Sequence, residues 1–136
     1  MKRIRATVIV VKEDKLLMIH RFKNGEEYFV LPGGTVEEGE TVEEAALREL
    51  KEETSLEGKI GKKVSSFNDD DHADHELFEV IDAEGEVMLP SDSIEARISN
   101  DQNTFEPVWV NIKDIVDLKI YPGKTKGVLL EYFSNK

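Results

Sequence analysis

Three glutamates stand close together in the segment LPGGTVEEGETVEEAALRELKEETSL, which runs from residue 31 to residue 56. They are Glu49, Glu52 and Glu53, and on a helix with about 100° per residue they share a face roughly 100° wide. Like charges on one helix face repel each other by a few tenths of a kcal/mol per pair, so this arrangement costs stability. A solvated acidic face is one interpretation, and a set of oxygen ligands for Mg²⁺ or Mn²⁺ is the other.

The residues that precede these glutamates favour metal binding. Pro32-Gly33-Gly34 predicts a turn whose bare backbone can approach a ligand, and an exposed carbonyl there adds another oxygen. Magnesium typically takes only one or two carboxylates and leaves positions open for water and substrate phosphates. The residues by themselves therefore predict a metal-dependent site for a phosphorylated ligand.

The acidic face belongs to a predicted helix from Val42 to Thr54. Thr41 is suited to be its N-cap, and Glu44, three positions later, completes a capping box. Arg48 lies four residues before Glu52, so its side chain can brace the carboxylate face. The side expected to pack on a sheet consists of Leu47, Leu50 and Thr54.

Apolar and β-branched runs predict strands around this helix. The predicted strands are 4–11, 15–22, 27–31, 58–67, 75–81 and 106–112, and further helical segments are predicted at 112–118 and 123–133. Asn24-Gly25 is a signal for a hairpin turn. Because strands both precede and follow the first helix, the order predicts a mixed sheet covered by helices, in the α/β (α+β) class, rather than a regular βαβ repeat.

Composition limits the classes of protein that this chain can be. Its 136 residues predict one domain over residues 1–136, and its net charge of −11 argues against binding to nucleic acid polymers. No apolar run approaches the roughly 20 residues of a membrane helix, and the start MKRIRATVIVV alternates like a strand rather than a signal peptide. The absence of cysteine excludes disulfides and thiolate metal sites and is compatible with a cytoplasmic protein.

The acidic helix and the loop before it match a family pattern. Gly34 is followed after five residues by Glu40, and after seven more by the run RELKEETSL, Arg48 to Leu56. This spacing resembles the Nudix box: G, five residues, E, seven residues, then R-E-U-x-E-E-x-G-U, where U is bulky and apolar. Ser55 is the one departure, because it stands where the family has glycine. Glycine suits a left-handed helix cap, so serine there costs about 1 kcal/mol without removing a ligand.

The resemblance implies a fold and an activity. Nudix proteins form an α/β/α sandwich with a central mixed β-sheet. They typically hydrolyse the phosphoanhydride bond of a nucleoside diphosphate linked to another group, using water and a divalent metal. The roles implied here are metal ligation by Glu49, Glu52, Glu53 and the backbone carbonyl of Gly33 or Gly34, orientation of these glutamates by Arg48, and a structural or supporting role for Glu40.

The resemblance also leaves alternatives open. A Nudix-fold module that senses a nucleotide without cleaving it is the competing class, and the intact set of glutamates favours the enzyme. An acidic domain that binds a basic partner is a third reading, which the spacing of the box disfavours. The implied partner is a small nucleotide, with a homodimer as the implied oligomer. The general base is either a box glutamate or one of four downstream acids that also fit surface positions: Glu76, Glu79, Glu95 and Glu106.

Two pairs of residues are candidates for holding the substrate. Arg5 and Arg21 lie near the ends of the first two strands, where they can contact a phosphate or base or form exposed ion pairs. Trp109 and Phe105 can stack on a nucleobase, although core packing is the simpler expectation for Trp109 in its apolar strand.

The histidines have structural as well as functional interpretations. His20 is either a histidine at the edge of the core or a polar part of the substrate cleft. The acidic segment NDDDHADHE holds His72 and His75, which predicts a solvated hairpin loop more readily than a second metal site.

Substrate signals are sparse. Family members that cleave ADP-ribose often carry a proline about fifteen residues past the box, and those that act on dinucleoside polyphosphates often carry a tyrosine nearby. The region 70–75 has neither, and the NADH-type signature is also absent. These absences weaken those options without naming another, and we take nucleoside triphosphates, including damaged ones, and nucleoside diphosphate sugars as candidate substrates.

Overall fold

The computed structural model describes residues 3–68, 73–87 and 103–134. The elements of these residues are β1 Arg3–Ile9, β2 Val11–Lys12, β3 Lys15–Lys23, β4 Glu26–Val30, β5 Gly33–Thr35, α1 Val42–Thr54, β6 Glu57–Asn68, β7 Ala73–Glu84, β8 Asn103–Asn111, a 3₁₀ helix Ile112–Asp117 and α2 Gly123–Ser134. Within these ranges, none of the helices combines the length and the apolar character that crossing a membrane requires.

The strands form two sheets. The first has the order β5-β1-β7-β6, in which β1 and β7 are parallel and the other neighbours are antiparallel. The second is antiparallel, with β3 between β4 and β8 and with the short β2 beside its start. The mixed sheet that the sequence predicted is therefore confirmed, and a second, antiparallel sheet accompanies it.

Strand alternation places helices on both faces of the strands. Ala6 and Val8 of β1 pack in one buried cluster with Leu50 of α1. Ile9 points to the opposite face, where it packs in a second cluster with Leu129 of α2. Leu50 has no exposed surface, and full burial of such a side chain stabilises the fold by about 1.5–3 kcal/mol. The helices on the two faces confirm the predicted α/β/α sandwich.

Helix α1 has the bounds that the sequence predicted. The Thr41 side chain accepts a hydrogen bond from the Glu44 N–H at 3.0 Å, and the Glu44 carboxylate accepts one from the Thr41 N–H at 2.8 Å. The capping box is therefore confirmed, and it determines where the acidic face begins. The helix ends at Thr54, and its C-cap Ser55 has a left-handed φ of 70°, as the comparison with the family's glycine predicted.

The prediction for the Pro32-Gly33-Gly34 turn was wrong in part. Pro32 bends the chain, but Gly33 and Gly34 continue as β5 and pair with Thr7 and Ala6 of β1. A Cβ atom on Gly33 would lie 2.3 Å from the Ala6 carbonyl oxygen, a distance that real atoms do not tolerate. The glycines serve close packing of backbone against backbone rather than a reversal of the chain.

The loop between β5 and α1 is held by Glu40. Its carboxylate accepts a hydrogen bond from the Glu37 N–H at 2.9 Å and one from the Arg48 Nε at 2.7 Å. These bonds lower the pKa of the Glu40 carboxyl, the Arg48 bond most and the Glu37 bond next. The family's box glutamate before the helix is therefore in this chain a clamp between loop and helix.

Replacing Ser55 with glycine should stabilise the protein. Glycine adopts the left-handed conformation without the steric cost of a Cβ atom, about 1 kcal/mol, so the thermal midpoint should rise by roughly 3–5 °C while hydrolytic activity is unchanged. Ser55→Ala is the matched control, because it keeps the Cβ atom and should give no such gain. Differential scanning calorimetry measures both, and a large loss of activity in Ser55→Gly would show that this position has been misread.

Replacing Glu40 with glutamine should change how stability depends on pH. A carboxyl whose pKa is lower in the folded than in the unfolded chain stabilises the fold above its unfolded pKa and loses that contribution as the pH falls through its folded pKa. The difference in thermal midpoint between wild type and Glu40→Gln should therefore be largest near neutral pH and shrink as the pH falls below about 4.5. Glu38→Gln, an exposed substitution in the same loop, is the control. If the difference in thermal midpoint between wild type and Glu40→Gln stays constant as the pH falls, Glu40 does not clamp the loop to the helix through its charge.

Candidate active site

The three box glutamates line one cleft of about 600 Å³. Their helix supplies one side of it, the glycines of β5 lie between helix and sheet, and β1 and β3 supply the opposite side. Glu49, Glu52 and Glu53 differ in how far they reach into solvent: the side chains of Glu49 and Glu52 are 12% and 43% exposed, and Glu53 is 8% exposed as a residue.

Glu53 is held by the backbone of β5. Its Oε1 accepts a hydrogen bond of 2.7 Å from the buried Gly33 N–H. Burying a carboxylate is costly unless a donor compensates it, and this bond supplies one. Because Gly33 is itself paired with Thr7 of β1, the carboxylate is tied to the first sheet.

Glu49 packs against the neighbouring glycine. A Cβ atom built on Gly34 would lie 2.4 Å from the Glu49 carboxyl carbon and 2.6 Å from its Oε1. Only glycine leaves room for the carboxylate there, so the strand backbone and the carboxylate are direct neighbours. The Gly34 carbonyl that the resemblance implies as a ligand belongs to this same part of the cleft wall.

Arg48 bridges the carboxylates, as the sequence predicted. Its guanidinium donates to Glu40 at 2.7 Å, to Glu49 at 2.8 Å and to Glu52 at 3.3 Å, and also to the Thr35 carbonyl at 3.2 Å. The hydrogen bond to Glu40 does most to raise the pKa of this guanidinium, burial opposes the rise, and Glu49 adds to it. One permanent positive charge therefore offsets part of the repulsion among the acids and orients them.

The donors at this end of the cleft fit a hard divalent cation. They are carboxylate and carbonyl oxygens, the ligands that Mg²⁺ and Mn²⁺ prefer. In the described conformation, each carboxylate bonds to Arg48 or to Gly33, and no three acidic or histidine side chains of the described residues are grouped closely enough to hold an ion together. Glu52 has the longest of these bonds and the greatest exposure, so its carboxylate is the easiest to redirect.

The opposite wall of the cleft carries arginines and aromatic rings. Arg21 of β3 donates to the Thr104 carbonyl at 2.9 Å and to the Asn103 side chain at 2.7 Å, and its guanidinium lies 3.6 Å from the Phe105 ring centre. The predicted substrate residues Arg5, Arg21 and Phe105 thus line the same cleft as the glutamates. Lining residues that the sequence did not predict include Arg3, Tyr28, Tyr121 and Thr125.

A signal for one of these missed residues was present in the sequence. Arg3, Arg5 and Thr7 alternate along β1, so their side chains belong to one face of the strand. Recognising Arg5 as a candidate therefore implied Arg3 as well. Tyr121 follows the last strand and reaches the cleft through tertiary packing, where its ring lies 6.1 Å from that of Tyr28, and no local pattern indicates this.

His20 and Trp109 are not among the described residues that line the cleft. His20 is 25% exposed, bonds to Glu27 at 2.8 Å and packs on Phe29, which agrees with the edge-of-core interpretation. Trp109 pairs with Leu17 and packs against the core cluster that includes α1, which confirms the expectation of core packing.

The downstream acids proposed as general bases are engaged elsewhere. Glu76 bonds to Lys63 at 2.8 Å, Glu79 accepts a hydrogen bond from the Tyr132 hydroxyl, and Glu106 lies 3.8 Å from a His20 nitrogen. These three do not line the cleft in the described part of the chain, and Glu95 lies outside the described residues. The carboxylates that line the cleft in the described part of the chain are therefore the three box glutamates and Glu37 of the loop before the helix.

The predicted hairpin of the acidic segment is formed by β6 and β7, which pair up to Asn68 and Asp74. His72, half of the candidate second metal site, lies outside the described residues. His75 is 3% exposed, stacks in parallel on Phe67 with ring centres 4.9 Å apart, and lines the cleft beside Arg5.

This chain is similar to curated proteins, two of which are ADP-ribose pyrophosphatases by name. An ADP-ribose pyrophosphatase of Methanocaldococcus jannaschii is 47% identical over 64 residues, which cover 46% of this chain and 38% of the relative. An ADP-ribose pyrophosphatase of Bacillus subtilis is 30% identical over 126 residues, which cover 88% of this chain and 66% of the relative. The chain thus spans less than two thirds of the length of either relative.

The fold is shared with solved structures, and a family model covers almost the whole chain. A MutT structure from work on Aliivibrio salmonicida and Vibrio cholerae superposes with a TM-score of 0.76 at 19% identity, and the alignment covers 100% of both chains. That likeness concerns the fold alone. The model of the NUDIX domain matches residues 1–130. With the box glutamates gathered in one cleft and this match over both halves of the sequence, the chain belongs to the Nudix family.

Proposed function

We propose that this protein hydrolyses the pyrophosphate bond of a nucleoside diphosphate that is linked to another group. The observation that carries the proposal is the gathering of Glu49, Glu52 and Glu53 in one cleft whose other wall presents arginines and aromatic rings. Acidic oxygens at one end suit a divalent cation, and cationic and aromatic groups at the other suit phosphates and a nucleobase. The names of the two relatives make ADP-ribose the first substrate to test.

The side chains of this chain have separable tasks in that reaction. Glu49, Glu52 and Glu53 would hold Mg²⁺ or Mn²⁺, with the Gly34 carbonyl beside them. Such a cation supplies charge neutralisation of the diphosphate and favours ionisation of the attacking water. Arg48 orients the carboxylates, and the Gly33 N–H holds the Glu53 carboxylate in place. A box glutamate would accept the proton of the water, because the box carboxylates line the cleft and the described downstream candidates do not.

The nucleobase would lie against the aromatic wall. Tyr28, Phe105 and Tyr121 line that part of the cleft, and Arg21 lies within 5.8 Å of the Tyr28 ring centre as well as on the Phe105 ring. Stacking on rings and on a guanidinium plane is available to any base, so this wall favours nucleotides without selecting one.

The alternative is a Nudix-fold module that binds a nucleotide without cleaving it. The sparse substrate signals of the sequence leave it open, since the proline typical of enzymes that cleave ADP-ribose is missing from region 70–75. The intact, cleft-lining set of glutamates favours the enzyme over the sensor.

Neutralising a box glutamate should abolish most of the activity. A panel of ADP-ribose, nucleoside diphosphate sugars and nucleoside triphosphates is incubated with Mg²⁺ and then with Mn²⁺, and release of nucleoside monophosphate or phosphate is measured. Glu52→Gln and Glu53→Gln should each lower kcat by at least about 100-fold, because loss of a ligand removes several kcal/mol of charge stabilisation. EDTA should have the same effect.

Glu43→Gln is the matched control for that panel. It removes the same charge from the first turn of the same helix, where the side chain is exposed and outside the cleft. One outcome is that the wild type binds a nucleotide and yet hydrolyses it no faster than Glu52→Gln and Glu53→Gln with either metal. In that case the sensor is the correct assignment.

Adding one methyl group at Gly34 should impair the site without a change of charge. The Cβ atom of Gly34→Ala would overlap the Glu49 carboxylate, so that the carboxylate or the helix must shift, and we expect kcat to fall about 10- to 100-fold. Gly127→Ala in α2 is the control, because its Cβ atom would meet nothing within 4 Å. Unchanged kinetics in Gly34→Ala would show that the position of Glu49 does not matter for turnover.

A further inference from the structure

Arginine and lysine are distributed differently around the cleft. Every arginine of the described residues lines it, namely Arg3, Arg5, Arg21 and Arg48, whereas no lysine in this part of the chain does. A guanidinium presents a planar fork of donors that matches phosphate, while a lysine is a single strongly hydrated charge. In a chain with a net charge of −11, this places the phosphate-binding type of cation selectively in the cleft.

Among the described residues, two of these arginines are bound by other protein groups and two are not. Arg48 is held by carboxylates and Arg21 by Asn103 and the Thr104 carbonyl. Over residues 3–68, 73–87 and 103–134, no ion pair or hydrogen bond holds the guanidinium of Arg3 or Arg5. As far as the described part of the chain goes, their positive charges can therefore serve a ligand.

The register of β1 places these two side chains at increasing distance from the carboxylates. Thr7 pairs with Gly33, whose N–H holds Glu53, so this position marks the acidic end. Each step of two residues along a strand covers about 7 Å, which puts the Arg5 backbone about 7 Å and the Arg3 backbone about 13 Å farther along the cleft. These cations therefore extend beyond the place where the carboxylates would hold the scissile diphosphate.

A buried histidine that lines the cleft lies beside Arg5. His75 of β7 is its register partner, is buried, lines the cleft and stacks on Phe67. Thr125 at the start of α2 lines the cleft as well and adds a hydroxyl group. Cations next to fixed polar groups suit a compact anion better than a neutral sugar.

We propose that Arg5 and Arg3, with His75 beside them, form a second anion subsite that binds a phosphate group carried by the substrate in addition to its scissile diphosphate. This inference rests on the proposed function and narrows it to substrates with a third phosphate. Two sources supply that group: a phosphate on the sugar linked to the nucleoside diphosphate, or the terminal phosphate of a nucleoside triphosphate. Plain ADP-ribose lacks it.

Binding without turnover tests the subsite separately from catalysis. In EDTA, isothermal titration calorimetry compares ADP-ribose, ADP-ribose with a phosphate on its terminal ribose, and ATP. At least one of the two compounds with a third phosphate should bind about tenfold or more tightly than ADP-ribose, since hydrogen bonds between charged groups are strong. Added salt should reduce this difference in affinity, because it screens the attraction between the arginines and the extra phosphate.

Substitutions then assign the difference to the subsite. The quantity to follow is the dissociation constant of ADP-ribose divided by that of the tighter-binding compound with a third phosphate. Arg5→Gln and Arg3→Gln should each bring this ratio towards one. Lys12→Gln removes the same charge from the next strand, outside the cleft, and should leave the ratio as in wild type. The thermal midpoint of each variant verifies that it is folded, and Arg3, exposed near the start of β1, provides a second variant if Arg5→Gln does not fold.

The outcomes separate this inference from the proposed function. Tighter binding of the phosphorylated ADP-ribose identifies a sugar phosphate, and tighter binding of ATP identifies a terminal phosphate; either one supports the subsite. Equal affinities for all three compounds, or a ratio that Arg5→Gln and Arg3→Gln leave unchanged, overturn it even if ADP-ribose is hydrolysed. A ratio that depends on these arginines in a protein that hydrolyses nothing with Mg²⁺ or Mn²⁺ keeps the subsite and rejects the hydrolase.

Discussion

The contact between the backbone of β5 and the carboxylates of α1 is the constraint on which the cleft depends. The Gly33 N–H binds Glu53, and Gly34 leaves room for Glu49 where a Cβ atom would overlap it. Because β5 is paired with β1, this contact joins the acidic helix directly to the first sheet. A side chain at Gly34 would displace the Glu49 carboxylate, and a side chain at Gly33 would collide with Ala6 and Thr7 of β1.

Electrostatic balance is the second requirement. Carboxylates on one helix face repel each other, and Arg48 offsets part of that repulsion by bonding to Glu40, Glu49 and Glu52 at once. The same guanidinium reaches the Thr35 carbonyl, so it ties loop, strand and helix together as well as reducing the charge. One arginine among several acids still leaves this end of the cleft acidic, which suits a cation, while Arg3 and Arg5 make the far wall basic.

Local features were predictable because neighbouring residues determine them. The capping box from Thr41 to Glu44, the hairpin at Asn24-Gly25 and the left-handed position of Ser55 all follow from side chains within a few positions of each other. The prediction of a turn at Gly33 and Gly34 was wrong because residues far away in the sequence determine the structure there. Glycine permits both a turn and a close approach of two backbones. Pairing with β1, a distant segment of the chain, favours the close approach here.

The sequence by itself determined the acidic helix, its start and end, the spacing of the box and hence the family resemblance, because these depend on short-range periodicity and on residue type. Only the tertiary structure decided which residues share the cleft. It brought Arg21 to Thr104, 83 positions away, and turned Glu76, Glu79 and Glu106 towards other partners. The physical reason is strand register: a shift of one residue moves every side chain to the other face, and register is set by pairing between distant segments.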